Sequence, residues 1–319
     1  MSPQEETIAV VDGSGVLYDP KGINRENLVK LAESRSPISG FDTSLLSKDG
    51  YSVLVSHNDV TLPDGEVVEN GTEFRNFFHL RPNLTADFFV PCGGRPAAVN
   101  LNNVEQFMYR EDGRTLRFKY IVEGANLFFT QDARTRLEDA GVILFKDASA
   151  NKGGVTSSSL EVLAALSMTD EDFAEHMAVD EATGNIPAFY AAYVEEVQKR
   201  IDLNAQREFE CIWREHERSG TYYSQLTNQL SERITDLSAK IQHSALWENQ
   251  ALRQKIFADG FPEILLQKVS KEELLQRLPE SYTRAFFASQ LASRFIYSVG
   301  LGAPEFSFYE FIEELIGGK

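Results

Sequence analysis

The chain has 319 residues, of which 42% are hydrophobic and 25% are charged, and its formal net charge at pH 7 is −17. This composition is typical of a soluble globular protein with room for two domains. The negative charge excludes nucleic-acid backbones and anionic membranes as electrostatic partners, and the lack of a long uncharged apolar run excludes a membrane span.

The cysteine content and the N-terminal sequence bear on the cellular compartment. Cys92 and Cys211 are the only cysteines, and they lie far apart in the chain. Two such residues in a protein of this length favour a reducing compartment over a disulfide-stabilised fold. The opening MSPQEETIAV has neither the segments of a secretory signal nor the Arg-rich character of a transit peptide. We therefore expect a cytoplasmic protein, with the mitochondrial matrix as the alternative.

The first predicted elements alternate between strand and helix patterns. The β-branched run at 7–11 predicts a strand that ends at the turn sequence DGSG, and apolar residues at helical spacing predict a helix over 23–32. The stretch from about 36 to 76 is less regular and contains the turn sequence PDG at 63–65. We interpret this stretch as an insertion or hairpin on the α/β unit.

Three further apolar runs, at 88–90, 118–122 and 142–145, predict strands. Helices are predicted over 131–140, from its apolar spacing, and over 157–166, where serines precede an acidic residue. Strands that alternate with helices are typical of an α/β fold with a parallel sheet.

The second half of the chain has only helical patterns. The predicted helices cover 186–217, 222–241, 245–258, 280–298 and 306–316. The sequence therefore predicts two domains, a partial Rossmann-like domain at 1–168 and an α-helical region at 169–319.

Polar clusters follow all four predicted strands. In an open parallel sheet, ligands gather at the carboxyl ends of the strands, so these clusters are expected on one shared edge. Asp12 follows the first strand, and an acid at a strand end of a dinucleotide-binding fold accepts hydrogen bonds from the adenosine ribose and favours NAD. The DGSG sequence is also good turn chemistry, so a purely structural role for Asp12 stays open.

Small and amide side chains occupy the other strand ends. Gly93, next to Cys92, lets a ligand ring approach the backbone closely. The carboxamides of Asn126 and Asn151 combine donors with an acceptor, which suits ribose hydroxyls or another carboxamide. The serines at 157–159 are predicted at a helix start, where they bind a carboxylate or serve as ordinary caps.

A glycine-rich phosphate loop of the form G-x-G-x-x-G is not found at any of these strand ends. A dinucleotide-binding fold in this chain would therefore lack its first strand and phosphate loop. The five histidines have no metal-ligand spacing, so no metal site is predicted. No catalytic residue is assigned.

Four motifs in chain order resemble the coenzyme domain of NAD-dependent glutamate dehydrogenase, in its large-subunit class typical of fungi: VVDGSGVLYDPKGI, FFVPCGGRPAAVN, YIVEGANLFFTQDA and DASANKGGVTSSSLEV. The resemblance covers about residues 8–166, and the helical remainder, including LPESYTRAFFASQLASRFIY, is similar to the C-terminal region of that class. It implies a Rossmann-like fold and hydride transfer from glutamate to NAD, which yields 2-oxoglutarate and ammonia. It also implies a homo-oligomer in the intact enzyme.

The resemblance implies a role for each residue that matches a family motif. It places Asp12 and Ser14 near the adenosine ribose, Cys92 and Gly93 near the nicotinamide ribose, Asn126 and Asn151 on the nicotinamide riboside, and Ser158 on a substrate carboxylate. Lys152 and Ser159 depart from the short-subunit enzymes, which have smaller or bulkier residues at those positions.

The family's catalytic lysine and aspartate lie in a preceding domain, within a glycine-rich lysine motif that is not found in this sequence. The chain therefore resembles a fragment of the enzyme, and we expect it to bind NAD weakly or not at all by itself and not to oxidise glutamate. Two alternatives stay open. One is a dehydrogenase for another amino acid, such as leucine or phenylalanine, for which a carboxylate partner at Ser158 is unnecessary. The other is a non-catalytic module that keeps the fold for assembly or regulation.

Overall fold

The computed structural model describes residues 4–180, 182–304 and 306–317. The chain divides into two units. One holds the segment up to Ile121 together with Leu127–Ile143, and the other holds Val122–Asn126 together with the residues from Leu144 onward. The domain boundary predicted at residue 168 stays a prediction.

The first unit combines short strands with short helices, and its last two strands extend into the second unit. The elements in chain order are β1 (Ala9–Val11), β2 (Gly15–Tyr18), α1 (Arg25–Glu33), β3 (Tyr51–Leu54), β4 (Val60–Thr61), β5 (Val67–Val68), α2 (Gly71–Phe77), β6 (Phe88–Phe89), α3 (Val104–Met108), β7 (Tyr120–Val122), α4 (Gln131–Asp139) and β8 (Ile143–Phe145).

The first sheet is antiparallel and has the order β1-β2-β3. Val10 lies opposite Leu17 on one face of the sheet, and Val16 lies opposite Val53 on the other, so both faces carry apolar side chains. The predicted strand at 7–11 is confirmed, but its expected place in the parallel sheet is wrong among the described residues. The reason is the three-residue turn that begins at Asp12, because only antiparallel neighbours can be joined by so short a connection.

The stretch predicted as an insertion or hairpin, 36–76, contains β3, α2 and the hairpin of β4 and β5. Val60 pairs with Val68 and Thr61 with Val67 around the predicted turn at 63–65. The hairpin prediction is therefore confirmed.

A second three-stranded sheet has the order β6-β7-β8. Phe88 lies opposite Tyr120 and Phe89 opposite Ile121 in a parallel pair. The three strands predicted at 88–90, 118–122 and 142–145 are confirmed with shorter bounds. The fold is therefore mixed α/β with parallel pairing, as the alternation of strands and helices predicted.

Side-chain caps explain where the helices of the first unit begin. The Asn24 side chain accepts a hydrogen bond from the Asn27 N–H, and α1 starts at the next residue, Arg25. Thr130 caps α4 in the same way through the Ala133 N–H. Both helices predicted in this part of the chain are confirmed to within two residues.

The second unit is helical beyond the end of β8, and no strand occurs after Phe145 in the part of the chain that the structure describes. Its helices are α5 (Asp147–Ala150), α6 (Lys152–Ser167), α7 (Asp170–His176), α8 (Ala188–Ser219), α9 (Tyr223–Gln242), α10 (Gln250–Gly260), α11 (Glu263–Lys268), α12 (Lys271–Arg277), α13 (Glu280–Val299) and α14 (Phe306–Gly317).

The core of this unit lies among α6, α8, α9, α10 and α13. Phe287, Leu291 and Phe295 recur every four residues on α13, and all three are buried, so one stripe of the helix faces the core. The predicted helices of this half are confirmed, with one difference. The segment predicted as a single helix over 245–258 is a short 3₁₀ turn followed by α10, because Asn249 caps a new helix. None of the described helices has the length and apolarity that a membrane crossing requires.

Candidate functional site

Asp12 and Ser14 form the turn between β1 and β2. One carboxylate oxygen of Asp12 accepts hydrogen bonds from the Ser14 N–H at 2.7 Å and the Ser14 hydroxyl at 2.6 Å, and the other accepts from the Ile38 N–H at 2.8 Å. The Ser14 hydroxyl oxygen in turn accepts from the Ser39 N–H at 3.1 Å. The turn chemistry considered from the sequence is therefore present, and the carboxylate also fixes a residue 26 positions further along the chain.

The hydrogen bonds at this turn keep Asp12 ionised. Partial burial raises the pKa of the Asp12 carboxyl, but bonds from Ser14, Ile38 and Gly15 outweigh that effect, and the pKa is lowered overall. A carboxylate has about four acceptor positions, so the two bonds from Ser14 and the bonds from Ile38 and Gly15 use most of the acceptor capacity of Asp12. A phosphate next to this carboxylate would meet a fixed negative charge.

Cys92 and Gly93 lie on the segment that follows β6. Both residues are exposed, and a Cβ atom added at Gly93 would meet nothing within 4 Å. The next residue, Gly94, has φ +128°, and a Cβ atom there would lie 2.9 Å from the Phe128 ring. This strand end therefore presents open backbone on one side and requires glycine on the other.

Asn126 and Asn151 lie together in the second unit, one after β7 and the other between α5 and α6. The Asn151 Nδ2 donates to the Asn126 Oδ1 at 3.4 Å. This distance is long for an N–H···O bond, so the pair is only loosely joined. Neither the Asn126 Nδ2 nor the Asn151 Oδ1 bonds to another described residue. The two side chains thus present neighbouring donor and acceptor groups, the complement of a carboxamide or a pair of hydroxyls.

Ser158 is exposed on α6, and its hydroxyl donates to the Gly154 carbonyl oxygen at 2.5 Å. Ser157 and Ser159 also donate to carbonyl oxygens of their own helix. The prediction that these serines lie at the helix start is wrong, because α6 begins at Lys152 with Asn151 as its N-terminal cap position. The glycines that suggested a loop are the first turn of the helix. The Ser158 oxygen still has lone pairs that can accept a hydrogen bond.

The sequence analysis did not identify a polar contact at the first residue of α6. The Lys152 ammonium lies 2.7 Å from the Glu208 Oε2, and the Tyr297 hydroxyl donates to the same oxygen at 2.6 Å. The one sequence signal for this contact was that Lys152 differs from the residue found at its position in the short-subunit enzymes. The partners lie 56 and 145 residues further along the chain, beyond the reach of any local pattern.

Within each unit, the structure brings predicted site residues together. Asp12 and Ser14 share a turn of the first unit, and Asn126 and Asn151 share a contact in the second unit. These groups offer hydrogen-bond donors, acceptors and one carboxylate. They can bind and orient a polar ligand.

Known proteins match nearly the whole chain. The family model for Glutamate/Leucine/Phenylalanine/Valine dehydrogenase matches residues 1–220. The NAD-specific glutamate dehydrogenase of Neurospora crassa is 53% identical over 313 residues, which are 98% of this chain and 29% of that protein. Glutamate dehydrogenase 2 of Dictyostelium discoideum is 52% identical over 98% of this chain and 30% of its own length. The NAD-specific glutamate dehydrogenase of Saccharomyces cerevisiae is 46% identical over 98% and 29%.

A solved structure of Plasmodium falciparum glutamate dehydrogenase aligns with 70% of this chain and 36% of its own, at 16% identity and a TM-score of 0.39. The chain spans less than a third of the length of the curated relatives named above. The resemblance stated from the four motifs is confirmed by the family match and by these identities. The chain belongs to the glutamate, leucine, phenylalanine and valine dehydrogenase family.

Proposed function

We propose that the whole protein is an NAD-dependent glutamate dehydrogenase, which oxidises L-glutamate to 2-oxoglutarate and ammonia. In this proposal, the present chain supplies part of a Rossmann-like coenzyme domain and the α-helical region that follows it. Three close relatives, at 46–53% identity, are NAD-specific glutamate dehydrogenases by name. The observation that carries the proposal is the pair of carboxamides at Asn126 and Asn151, because their free donor and acceptor match the groups of a nicotinamide riboside.

The residue roles follow the family motifs residue by residue. Asp12 and Ser14 bind the adenosine ribose, and the ionised carboxylate of Asp12 disfavours the 2′-phosphate of NADP. Cys92 and Gly93 leave room beside the nicotinamide ribose. Ser158 accepts or donates a hydrogen bond at a substrate carboxylate.

NAD supplies the hydride acceptor when it is bound. The residues of this chain bind and orient, and orientation of the glutamate Cα–H against the nicotinamide ring accounts for much of the rate in such reactions. The lysine and aspartate that move protons in the family would lie elsewhere in the whole protein.

The test uses the whole protein and measures NADH formation at 340 nm. Asn126→Ala and Asn151→Ala are each expected to raise the KM for NAD about fivefold, the equivalent of one lost neutral hydrogen bond. Asn185→Ala is the matched control, because Asn185 is an exposed amide on the loop before α8. An unchanged KM for NAD in both site variants would refute the role of the carboxamide pair.

Substrate choice is tested in the same assay with glutamate, leucine, phenylalanine and valine. Turnover of glutamate alone supports the proposal. A preference for an apolar amino acid would favour the alternative of a dehydrogenase for another amino acid. Ser158→Ala would then leave the KM for that substrate unchanged. No turnover of any of them would favour the non-catalytic module.

A further inference from the structure

A buried polar group joins the start of α6 to two other helices of the second unit. Lys152 is the first residue of α6, and its ammonium lies 2.7 Å from the Oε2 atom of Glu208 on α8. The hydroxyl of Tyr297 on α13 donates to the same oxygen at 2.6 Å. Three helices therefore meet at one carboxylate oxygen, which is bound by the residue that directly follows Asn151 in the chain.

This carboxylate depends on its partners. The Glu208 side chain is 3% exposed and the Lys152 side chain is 26% exposed, so the ion pair has little access to water. An unpaired charge in such a place is strongly unfavourable, and removal of one member of a buried pair has a larger effect than the net contribution of the pair. Burial raises the pKa of the Tyr297 hydroxyl, and the charge of Glu208 and its hydrogen bond raise it further, so the hydroxyl stays a donor.

Two more side-chain bonds fasten the segment that leads to Asn151. The Lys146 ammonium donates to the Asn228 Oδ1 at 2.6 Å, and the Ser149 hydroxyl donates to the Thr227 hydroxyl at 2.9 Å. Both partners lie on α9. Because Lys146, Ser149 and Lys152 are spaced by three residues, the connection from β8 to α6 is tied to the helical core at regular intervals.

We propose that Lys152 is a positioning residue, which holds the start of α6 against Glu208 and Tyr297 and thereby fixes the carboxamide of Asn151. The inference rests on the proposed function, since Asn151 is the proposed ligand of the nicotinamide riboside. Asn151 is the hinge between two helices, with φ −96° and ψ 61°, so its side chain moves if the first turn of α6 loosens. A displacement of about 1 Å is enough to impair a hydride-transfer geometry.

We expect the loss of Lys152 to loosen only the first turn of α6. Leu160 and Leu163 are buried further along the same helix and hold Ser158 in place independently of Lys152. Loss of Lys152 is therefore expected to affect coenzyme binding and leave substrate binding almost unchanged.

The test replaces Lys152 in the whole protein. Lys152→Met keeps the length of the side chain and removes its charge, and it is expected to raise the KM for NAD about tenfold and to change the KM for glutamate less than about twofold. Lys152→Arg restores an ion pair with Glu208 and is expected to recover most of the loss. Hydrogen exchange of peptides within 147–156 should be faster in Lys152→Met than in the unaltered protein.

Two controls separate positioning from general destabilisation. Lys199→Met removes a lysine from an exposed ion pair on α8. Arg200→Met removes a guanidinium that bonds to the carbonyl oxygens of Asp259, Gly260 and Phe261, so it destabilises the same unit without touching α6. Neither variant should change the KM for NAD or the exchange of 147–156.

Failure of this inference can be distinguished from failure of the proposed function. An unchanged exchange rate at 147–156 in Lys152→Met, or an equal rise of the KM for NAD in Arg200→Met, overturns the inference even if the protein oxidises glutamate. If the unaltered protein shows no activity, the proposed function fails, and the exchange measurement still decides whether Lys152 fixes the helix start. If Lys152→Met does not fold, the double variant Lys152→Met with Glu208→Gln replaces it, because that variant leaves no unpaired charge. The double variant is then compared with Glu208→Gln alone.

Discussion

We predict that His79 makes the first unit sensitive to acid. Its ring centroid lies 5.6 Å from that of Phe128 and 6.4 Å from that of Phe107, and its Nε2 atom is buried without a hydrogen-bond partner. Burial lowers the pKa of His79 from 6.5 to about 4. A hydrogen bond with the backbone of Ala98 opposes this shift, and the positive charge of Arg117 adds to it.

The sign and size of the effect follow from proton binding. Because the pKa of His79 is lower in the folded chain, the unfolded chain takes up the proton first as the pH falls. The stability that is present above pH 6.5 is lost as the pH falls from 6.5 through about 4. A difference of roughly 2.5 pKa units corresponds to about 3 kcal/mol in the free energy of unfolding.

Two measurements test this prediction. The ring Cε1–H resonance of His79 should titrate near pH 4 in an NMR experiment. Hydrogen exchange of 76–84 gives the free energy of local opening around His79. Between pH 7 and pH 4 this free energy should fall in the unaltered chain, and the fall should be smaller by about 3 kcal/mol in His79→Phe. His243→Phe, at an exposed histidine, is the matched control. Titration of His79 above pH 6, or the same pH dependence in His79→Phe, would refute the reasoning.

Three further predictions concern packing, backbone conformation and activity. Phe287→Ala, at a ring that is 1% exposed, should lower the free energy of unfolding by about 3–5 kcal/mol in urea, whereas Phe306→Ala, at 71% exposure, should change it by less than about 0.5 kcal/mol. Gly94→Ala should destabilise by about 1–3 kcal/mol because of its positive φ and the nearby Phe128 ring, whereas Gly93→Ala should be tolerated. The 319-residue chain by itself should produce no NADH from glutamate and NAD at 340 nm, since the catalytic lysine motif is not found in it. Turnover by the purified chain would contradict this last expectation.

Local sequence signals predicted most elements because their causes are local. The cap at Thr130 and the alternation of apolar runs with helix formers depend on neighbours within a few residues. The placement of β1 could not be predicted in the same way. The run at 7–11 has the composition of a strand in any sheet, and only the short turn at Asp12, which was recognised as turn chemistry, indicated an antiparallel partner.

The start of α6 was misjudged for a related reason. Gly153 and Gly154 are poor helix formers, so the sequence placed a loop there and moved the helix start to the serines. In the structure, Lys152 at the first position of the helix is held by a buried carboxylate 56 residues away. A long-range ion pair can thus fix a helix start that local propensity disfavours.

The ion pair between Lys152 and Glu208 bears on the role of the helical region. The net contribution of a buried ion pair to stability is small or negative, so stability alone is a weak reason for Lys152 and Glu208 to meet in the core. A better-supported use of such a pair is to select one arrangement among several of similar energy. Here the selected arrangement is the one in which two glycines begin a helix and Asn151 stands next to Asn126. In the role proposed for Lys152, α8 and α13 therefore act on the proposed coenzyme site through Glu208 and Tyr297, although none of their own residues is assigned to that site.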